Sequence, residues 1–399
     1  MSVILSVNCV VPPDRYGGAE KSALDLAKGF ADVGHEVHFL GAQTDATKAR
    51  SDYILDGLNI HTRLFRRPYP LHSNQKHGTW QKFLWHASDL LAPSNEDTFE
   101  VVLNGVRPEV VIVHNAQGVG FNIFRVLGRH NIPVLHVLHD LGIACLNRSM
   151  FRNGKHCAGQ CIACRVSTIA RMKMLRTIRN LVLVSPSNAN LEKLRQFVNF
   201  AGIRTEIIPN PNAYPIFARR MADGGPLRLL YVGRLSPEKG VEFVIQVLNR
   251  IGSKLNYVLE VLGDGPDRGK LEKLASKNSG IRFHGHVNLS QVGQAMADSD
   301  ILLVPSLWDE NFPGVIVHAL QSGLPVFASN SGGNRELVED RSNGRLLSAG
   351  DTRAWSVALA QLGADRRELD LMSVRATLSG AKYEPRRLIG CYDKLVQGA

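Results

Sequence analysis

The sequence predicts an α/β protein built of two doubly wound domains, and three observations lead to that class. Short apolar runs rich in β-branched residues alternate with helix-length segments through both halves of the chain, the pattern of buried parallel strands with helices on both faces. The alternation is interrupted once, at residues 209–226, where Pro209, Pro211, Pro215, Gly224, Gly225 and Pro226 mark a linker. The length, 399 residues, suits two domains of ordinary size.

Residues 3–11 read as an apolar first strand. They lack a basic leader and a small-residue cleavage site, so a buried strand is expected and not a signal peptide. A Pro/Gly loop over 12–18 follows. Residues 19–33 then repeat apolar positions at helical spacing (Ala23, Leu26, Ala27, Phe30), and Gly34 stops that helix. Further strands are expected at 36–41, 110–114, 133–138 and 181–185. The second half restarts with strands at 227–232, 257–263, 281–284, 301–305 and 325–329. The domains are therefore placed at 1–208 and 227–384, with the linker between them. The tail, 385–399, has a helical pattern, and a crossing back to the first domain is left open. Two such domains would set their ligands at the carboxyl ends of the strands, in a central cleft.

Hydrophobic residues make up 44% of the chain and charged residues 21%, an ordinary balance for a soluble globular protein. No apolar run approaches the ~20 residues that span a bilayer, so a cytoplasmic location is expected, with a peripheral position on the inner face of the plasma membrane as the variant. The net charge of +11 is unevenly placed: residues 1–210 hold 24 Lys and Arg against 16 Asp and Glu, and residues 211–399 hold 23 against 20. That asymmetry favours an anionic partner for the first half. Nucleic acid is not expected, since neither interleaved aromatic RNP motifs nor helix-turn-helix punctuation is present.

Three loops carry features suited to a diphosphate. Gly17-Gly18-Ala19-Glu20 follows the first strand and opens a helix, where bare backbone N–H groups and the helix dipole favour an anion. A tight turn into a helix would look the same. Gly233-Arg234-Leu235-Ser236-Pro237-Glu238-Lys239-Gly240 sets two cations at the mouth of a strand, Arg as a fork and Lys as a mobile point charge. Solvated surface charge is the plainer reading of that loop. The third stretch, 308–323, holds Glu310, Asn311 and Phe312 before a helix. Pro313 suits its first turn, Gly314 and Val315 offer N–H groups for a phosphate, and Gly323 suits the C-terminal cap. Taken alone, Glu310 reads as a carboxylate complementing the helix dipole.

With these pieces in this order, the chain resembles glycosyltransferase family 4, the retaining enzymes of GT-B fold. The resemblance rests on Gly17-Gly18-Ala19-Glu20, Gly233-Arg234 with Lys239-Gly240, the block 300–323, and Ser331-Gly332-Gly333-Asn334-Arg335-Glu336. It implies two Rossmann-like domains, the first (1–208) for the acceptor and the second (227–384) for the nucleotide-sugar donor, with metal-independent transfer and no further cofactor. By that likeness Arg234 and Lys239 neutralise the leaving diphosphate, Glu310 holds hydroxyls of the transferred sugar, and His139 lies near that sugar. Gly17, Gly18, Gly233, Asn311, Phe312, Gly314 and Val315 complete the donor contacts. The acceptor, a glycan or lipid-linked glycan of a surface polysaccharide or lipopolysaccharide, is given only Asp14, Arg15 and the region from Asn74 to His77. One position departs from the pattern: where the family places a second glutamate, eight residues after the first, this chain has His318. A neutral imidazole accepts one hydrogen bond where a carboxylate accepts several, so the ribose grip is expected to differ, and a glutamate restored at 318 is expected to tighten donor binding. That departure also keeps open a non-catalytic nucleotide- or glycan-binding relic. A sugar-nucleotide epimerase or phosphorylase on the same fold is the other alternative.

Six cysteines are present, and Cys157, Cys161 and Cys164 fall together. Their C-x3-C-x2-C spacing coincides with the cluster loop of radical S-adenosylmethionine enzymes, yet it lies in mid-chain. A structural zinc, completed by Cys145 or His156, and plain reduced thiols are the competing expectations. Just beyond, residues 165–179 interleave Arg165, Arg171, Lys173, Arg176 and Arg179 with apolar residues. They are read either as a helix lying on anionic membrane or as a surface helix with one apolar side in the core.

Overall fold

The computed structural model describes residues 1–11, 17–43, 51–69, 77–152, 154–220, 224–364 and 366–398. Along the chain run β1 (Val3–Val7), α1 (Gly18–Asp32), β2 (Glu36–Ala42), β3 (Ser51–Leu55), β4 (Leu58–Arg63), α2 (Thr79–Leu91), α3 (Pro93–Val106) and β5 (Val110–Val113). Next come α4 (Ile123–His130), β6 (Val134–Val137), β7 (Phe151–Arg152), β8 (Lys155–His156), α5 (Ile162–Leu175), β9 (Leu181–Ser185), α6 (Asn188–Arg195) and β10 (Arg204–Ile207). The second series is β11 (Leu227–Val232), α7 (Val241–Ile251), β12 (Tyr257–Leu262), α8 (Arg268–Ala275), β13 (Ile281–Gly285), α9 (Leu289–Ala297) and β14 (Ile301–Val304). It ends with α10 (Gly314–Gln321), β15 (Val326–Ser329), α11 (Asn334–Leu337), β16 (Gly344–Leu347), α12 (Thr352–Ala364), α13 (Arg367–Gly380) and α14 (Pro385–Gln397).

The chain divides into two compact units. One comprises Met1–Met150, Ala158–Asn212 and Pro385–Ala399, the other Phe151–Cys157 and Ala213–Glu384. The first unit is built on an eight-stranded sheet of order β10-β9-β6-β5-β1-β2-β4-β3, parallel except where β3 pairs antiparallel with β4. Its central strands are buried on both faces, hence their unbroken apolar sequences (Val110–Val113 is fully buried). The hairpin β3–β4 and the outer strand β10 were not among the strands expected from the sequence. They carry polar residues through much of their length (Ser51 and Asp52 in β3; Asn59, His61, Thr62 and Arg63 in β4; Arg204, Thr205 and Glu206 in β10), which weakens the apolar signal. Helix α1 buries Ala23, Leu26, Ala27 and Phe30. Against it lies α14, whose Ile389, Tyr392 and Val396 share that core. The approach is close at Gly29, where a β-carbon would strike Ile389 Cδ1 at 2.2 Å. His35 Nε2 and Asp393 Oδ1, 2.8 Å apart, close the end of the contact.

The second unit holds a six-stranded, all-parallel sheet of order β13-β12-β11-β14-β15-β16. Counted from its own first strand this is 3-2-1-4-5-6, the doubly wound order that reverses between β11 and β14. Chains leave those two neighbours in opposite directions, which opens a crevice at their carboxyl ends. Under the sheet, α7 and α12 bury Val244, Ile245, Leu248, Leu359 and Trp355, with Phe243 edge-on to the indole at 5.7 Å.

Candidate functional site

The switch point of the second unit gathers the residues singled out in its two loops. After β11 the chain turns through Gly233 and Arg234 into a short 3-10 turn, Pro237–Lys239, and then α7. The backbone N–H of Leu307, after β14, donates to the carbonyl of Glu238 at 2.8 Å and stitches the two loops together. Gly240 is required at their junction: its φ is +72°, and a β-carbon there would lie 2.1 Å from the Pro305 carbonyl oxygen. The result is a buried cluster on Glu310, which is 6% exposed. Lys239 Nζ donates to Glu310 Oε1 at 2.7 Å, and Ser306 Oγ donates to the same oxygen at 2.6 Å. The ammonium also stands over the Trp308 ring, 5.1 Å from its centroid. Burial pushes the Glu310 carboxyl up. The Lys239 charge and the hydrogen bonds from Lys239 and Ser306 outweigh that and hold it below the ordinary carboxylate value. Glu310 is therefore an ionised acceptor at neutral pH.

Gly332 and Gly333 brace this carboxylate from behind. The Gly333 N–H donates to the Glu310 carbonyl at 2.6 Å, and a β-carbon on Gly332, whose φ is +49°, would meet that carbonyl oxygen at 2.3 Å. Arg234 is exposed, and among the described residues its guanidinium has neither a hydrogen-bond nor an ion-pair partner. Asn311 is buried and Phe312 packs edge-on to Tyr383. Pro313 is the N-cap of α10, with extended ψ, one position earlier than the first-turn place expected of it. Gly314 and Val315 are thus the first helical residues, and their N–H groups have no carbonyl one turn earlier to bond. At the other end, the N–H of Leu324 reaches the Ala319 carbonyl and that of Gly323 the Leu320 carbonyl, a Schellman stop with Gly323 at φ +67°.

His318 sits differently from a ligand-holding residue. It is 1% exposed, its ring stacks on Tyr214 at 4.4 Å and 7°, and its Nε2 donates to the Pro215 carbonyl at 3.0 Å. That bond places a proton on Nε2. The imidazole fastens the segment entering the second unit to α10.

In the first unit, Gly17 is the N-cap of α1, and its N–H donates to Glu20 Oε2 at 2.9 Å, the backward half of a capping box. A β-carbon on Gly18 would meet nothing within 4 Å, so packing does not explain a glycine there. His139, beyond β6, is half-buried. Its Nε2 lies 2.9 Å from Nδ1 of His114, and the rings stack at 5.2 Å. His136 Nδ1 donates to the Val113 carbonyl at 2.9 Å. All three imidazoles are neutral: burial holds His114 well below its ordinary value, His136 at about 4 and His139 at about 3. Sequence reasoning missed His114, because a partner 25 positions away leaves no local signal. Asp14, Arg15 and residues 74–76 lie outside the described residues.

The zinc expectation is not met. Among the described residues no group of three or more His, Cys, Asp or Glu side chains gathers to hold a metal ion. The thiols have other occupations. The backbone N–H of Cys164 bonds the Cys161 sulfur and lowers that thiol, while burial pushes Cys164 up to about 12 and the Leu146 N–H bonds its sulfur. Arg171 also departs from the surface placement considered for it. It is 4% exposed and shares Asp89 with Arg67, at 3.4 and 3.1 Å, while stacking on Phe121.

Comparison with known proteins agrees with this architecture. Residues 16–211 match the model of Glycosyltransferase Family 4, and residues 226–365 that of Glycosyl transferases group 1. The chain is 25% identical over 340 residues to an uncharacterized 42.6 kDa protein in the cps region of Klebsiella pneumoniae, covering 84% of this chain and 87% of that one. It is 25% identical to the GDP-mannose-dependent alpha-mannosyltransferase of Mycolicibacterium smegmatis, covering 96% and 95%. Among solved structures, sucrose-phosphate synthase from Thermosynechococcus elongatus superposes with a TM-score of 0.78 at 18% identity, covering 99% of both chains. Anabaena HepE in complex with UDP and glucose superposes at 0.71 and 16%, and WaaG, a glycosyltransferase involved in lipopolysaccharide biosynthesis, at 0.70 and 16%, each covering 100% of both chains. Two α/β units with parallel sheets, each in its own doubly wound order, and family matches over both make this chain a glycosyltransferase of family 4 with the GT-B fold.

Proposed function

We propose that the protein transfers a sugar from a nucleoside diphosphate donor to a glycan or lipid-linked glycan acceptor, with retention of configuration, in the building of a surface polysaccharide or lipopolysaccharide. The observation that carries this reading is the cluster at the β11/β14 switch point, where an ionised Glu310 is held by Lys239 and Ser306 beside the exposed Arg234. An acceptor-only carboxylate suits sugar hydroxyls. Two cations at a strand mouth suit the charge that grows on a departing diphosphate, and they supply the stabilisation a divalent metal gives elsewhere. Lys239 is shared between Glu310 and that phosphate, so the carboxylate aims the ammonium as well as binding the sugar. Gly233, Asn311, Phe312, Gly314 and Val315 complete the donor contacts in this reading, with Gly17, Gly18 and His139 as the contribution of the first unit. No covalent nucleophile is assigned. The relatives named above are associated with different bases, UDP in one solved structure and GDP in one enzyme's name, so the donor is assigned as a nucleoside diphosphate sugar and its base is left to experiment. We place the protein on the cytoplasmic side of the plasma membrane, where such donors are available.

The test is a thermal-shift screen of nucleotide sugars, followed by product mass on acceptor candidates. With the stabilising donor, Lys239→Met is expected to lower turnover about 10²–10³-fold, the scale of losing one preorganised charge-stabilising donor. Turnover in excess EDTA is expected to equal that without it. A strict metal requirement, or a Lys239→Met enzyme as fast as the parent, would refute the assigned roles.

A further inference from the structure

The basic segment after the cysteines divides in the structure. Between Asp140 and Glu192 the sequence holds no Asp or Glu, while Arg148, Arg152, Lys155, Arg165, Arg171, Lys173, Arg176 and Arg179 all fall in that interval. Helix α5 turns Arg171, Met172, Met174 and Leu175 into the first unit. On its other side it exposes Ile162 at 84%, Val166 at 61% and Ile169 at 64%. At 100° per residue, these three and the exposed Arg165, Lys173 and Arg176 fall within one arc of about 100°. Apolar side chains and cations thus share a single outward stripe. A core-facing stripe would exclude the cations, and branched apolar side chains interleaved with cations on one outward arc are the composition of a helix at a lipid interface. Beside it runs a groove in which Arg165 and Ile169 stand with Gln196 and Phe197.

We infer that this stripe docks on the headgroup layer of an anionic bilayer. Arg165, Lys173 and Arg176 meet lipid phosphates, and Ile162, Val166 and Ile169 enter the boundary between headgroups and acyl chains. Charge complementarity selects this occupant. The stripe has three cations and no carboxylate, a poor match for a second copy of itself and a good one for a continuous negative surface. The long Arg and Lys stems let their charged ends rise to phosphate level while the branched residues sink. The inference deepens the membrane placement and lipid-linked acceptor given above, and it is tested without either.

The experiment is co-sedimentation of the full chain with vesicles of phosphatidylcholine alone or mixed with phosphatidylglycerol. Wild type is expected to bind the mixed vesicles, less at high salt. The double variant Arg165→Gln/Lys173→Gln is expected to bind about thirtyfold more weakly, at roughly fivefold per cation. A second variant, Ile162→Ser/Val166→Ser/Ile169→Ser, is expected to lose the binding that survives salt. All these side chains are exposed, so both variants are expected to keep the parent's circular dichroism and unfolding midpoint. Hydrogen exchange on wild type covers the case in which one does not, with protection on vesicles expected over 162–176. No binding of wild type to anionic vesicles, unchanged binding of both variants, or protection elsewhere only would overturn the proposal. So would a concentration-dependent dimer that the serine variant abolishes, since the occupant would then be a second chain. Hydrolysis of UDP-glucose and GDP-mannose is read on the same preparations without lipid. Its absence in wild type would count against the transfer reading and leave the docking result standing.

Discussion

At position 318 the residue type was legible and its use was not. The sequence shows a histidine where the family pattern has a glutamate, and from that alone a weakened ribose contact follows. The Nε2–H to the Pro215 carbonyl and the stack on Tyr214 depend on residues more than 100 positions away, and no local spacing announces them. Placing a glutamate there would set a carboxylate against a carbonyl oxygen in a site 1% exposed. His318→Glu is therefore expected to lose about 2–4 kcal/mol of stability, the scale of an unpaired buried charge that finds partial relief, and to leave donor affinity no better. Urea unfolding together with donor titration checks this, and a mutant of parental stability with tighter donor binding would restore the ribose reading. Glu310 and Lys239 were legible for the opposite reason. Each lies in a loop directly after a strand, so strand and motif place each other, whereas Ser306 became a partner only when the loop closed on Glu310.

The elements that hold the site are backbone contacts more than side-chain ones. Two loops and a third segment, Gly332-Gly333, approach each other so closely that a single methyl has no room: 2.1 Å at Gly240 and 2.3 Å at Gly332, each against a carbonyl oxygen and each with positive φ. Gly240→Ala and Gly332→Ala are each expected to cost about 2 kcal/mol or more and to cut turnover more than stability explains, since the loop that moves carries Lys239 or Glu310. Thermal midpoints compared with turnover well below the midpoint separate the two effects. Alanine enzymes of parental midpoint would show that the loops yield freely. Strands buried on both faces, β5 and β14 among them, could be read because nothing polar interrupts them. The β3–β4 hairpin and β10 could not, since polar residues such as Asp52, Asn59, His61, Arg204 and Glu206 interrupt their apolar pattern.

For the molecule as a whole, the restart of the strand–helix pattern after residue 226 made two units readable, because each sheet repeats the same apolar grammar. What the pattern cannot carry is the electrostatics of the folded interior. His114, His136 and His139 lie together in the first unit, and burial keeps each neutral. In the unfolded chain they gain protons near pH 6.5. In the folded unit His136 does so only at about 4 and His139 at about 3. Below pH 6.5 the unfolded state therefore binds more protons, and stability falls as pH drops through that window. A loss of up to about 1.4 kcal/mol per pH unit per histidine is expected. Urea midpoints for the first unit at about pH 7 and about pH 5.5 measure it, with the change shrinking in His136→Asn. Equal midpoints at the two pH values would show that these histidines protonate without unfolding.

The place of α14 bears on how the chain is made. Its Ile389, Tyr392 and Val396 complete the core that α1 begins, yet it is translated after every residue of the second unit. A ribosome delivering this chain from its N-terminus exposes the outer side of α1 throughout the synthesis of the second unit, a wait of some tens of seconds at the usual elongation rate. During that interval the side of α1 at Gly29 lacks the covering that Ile389 gives it. The second unit contributes no such missing segment to itself, so it is free to finish folding first, and the order of maturation runs opposite to the order of synthesis.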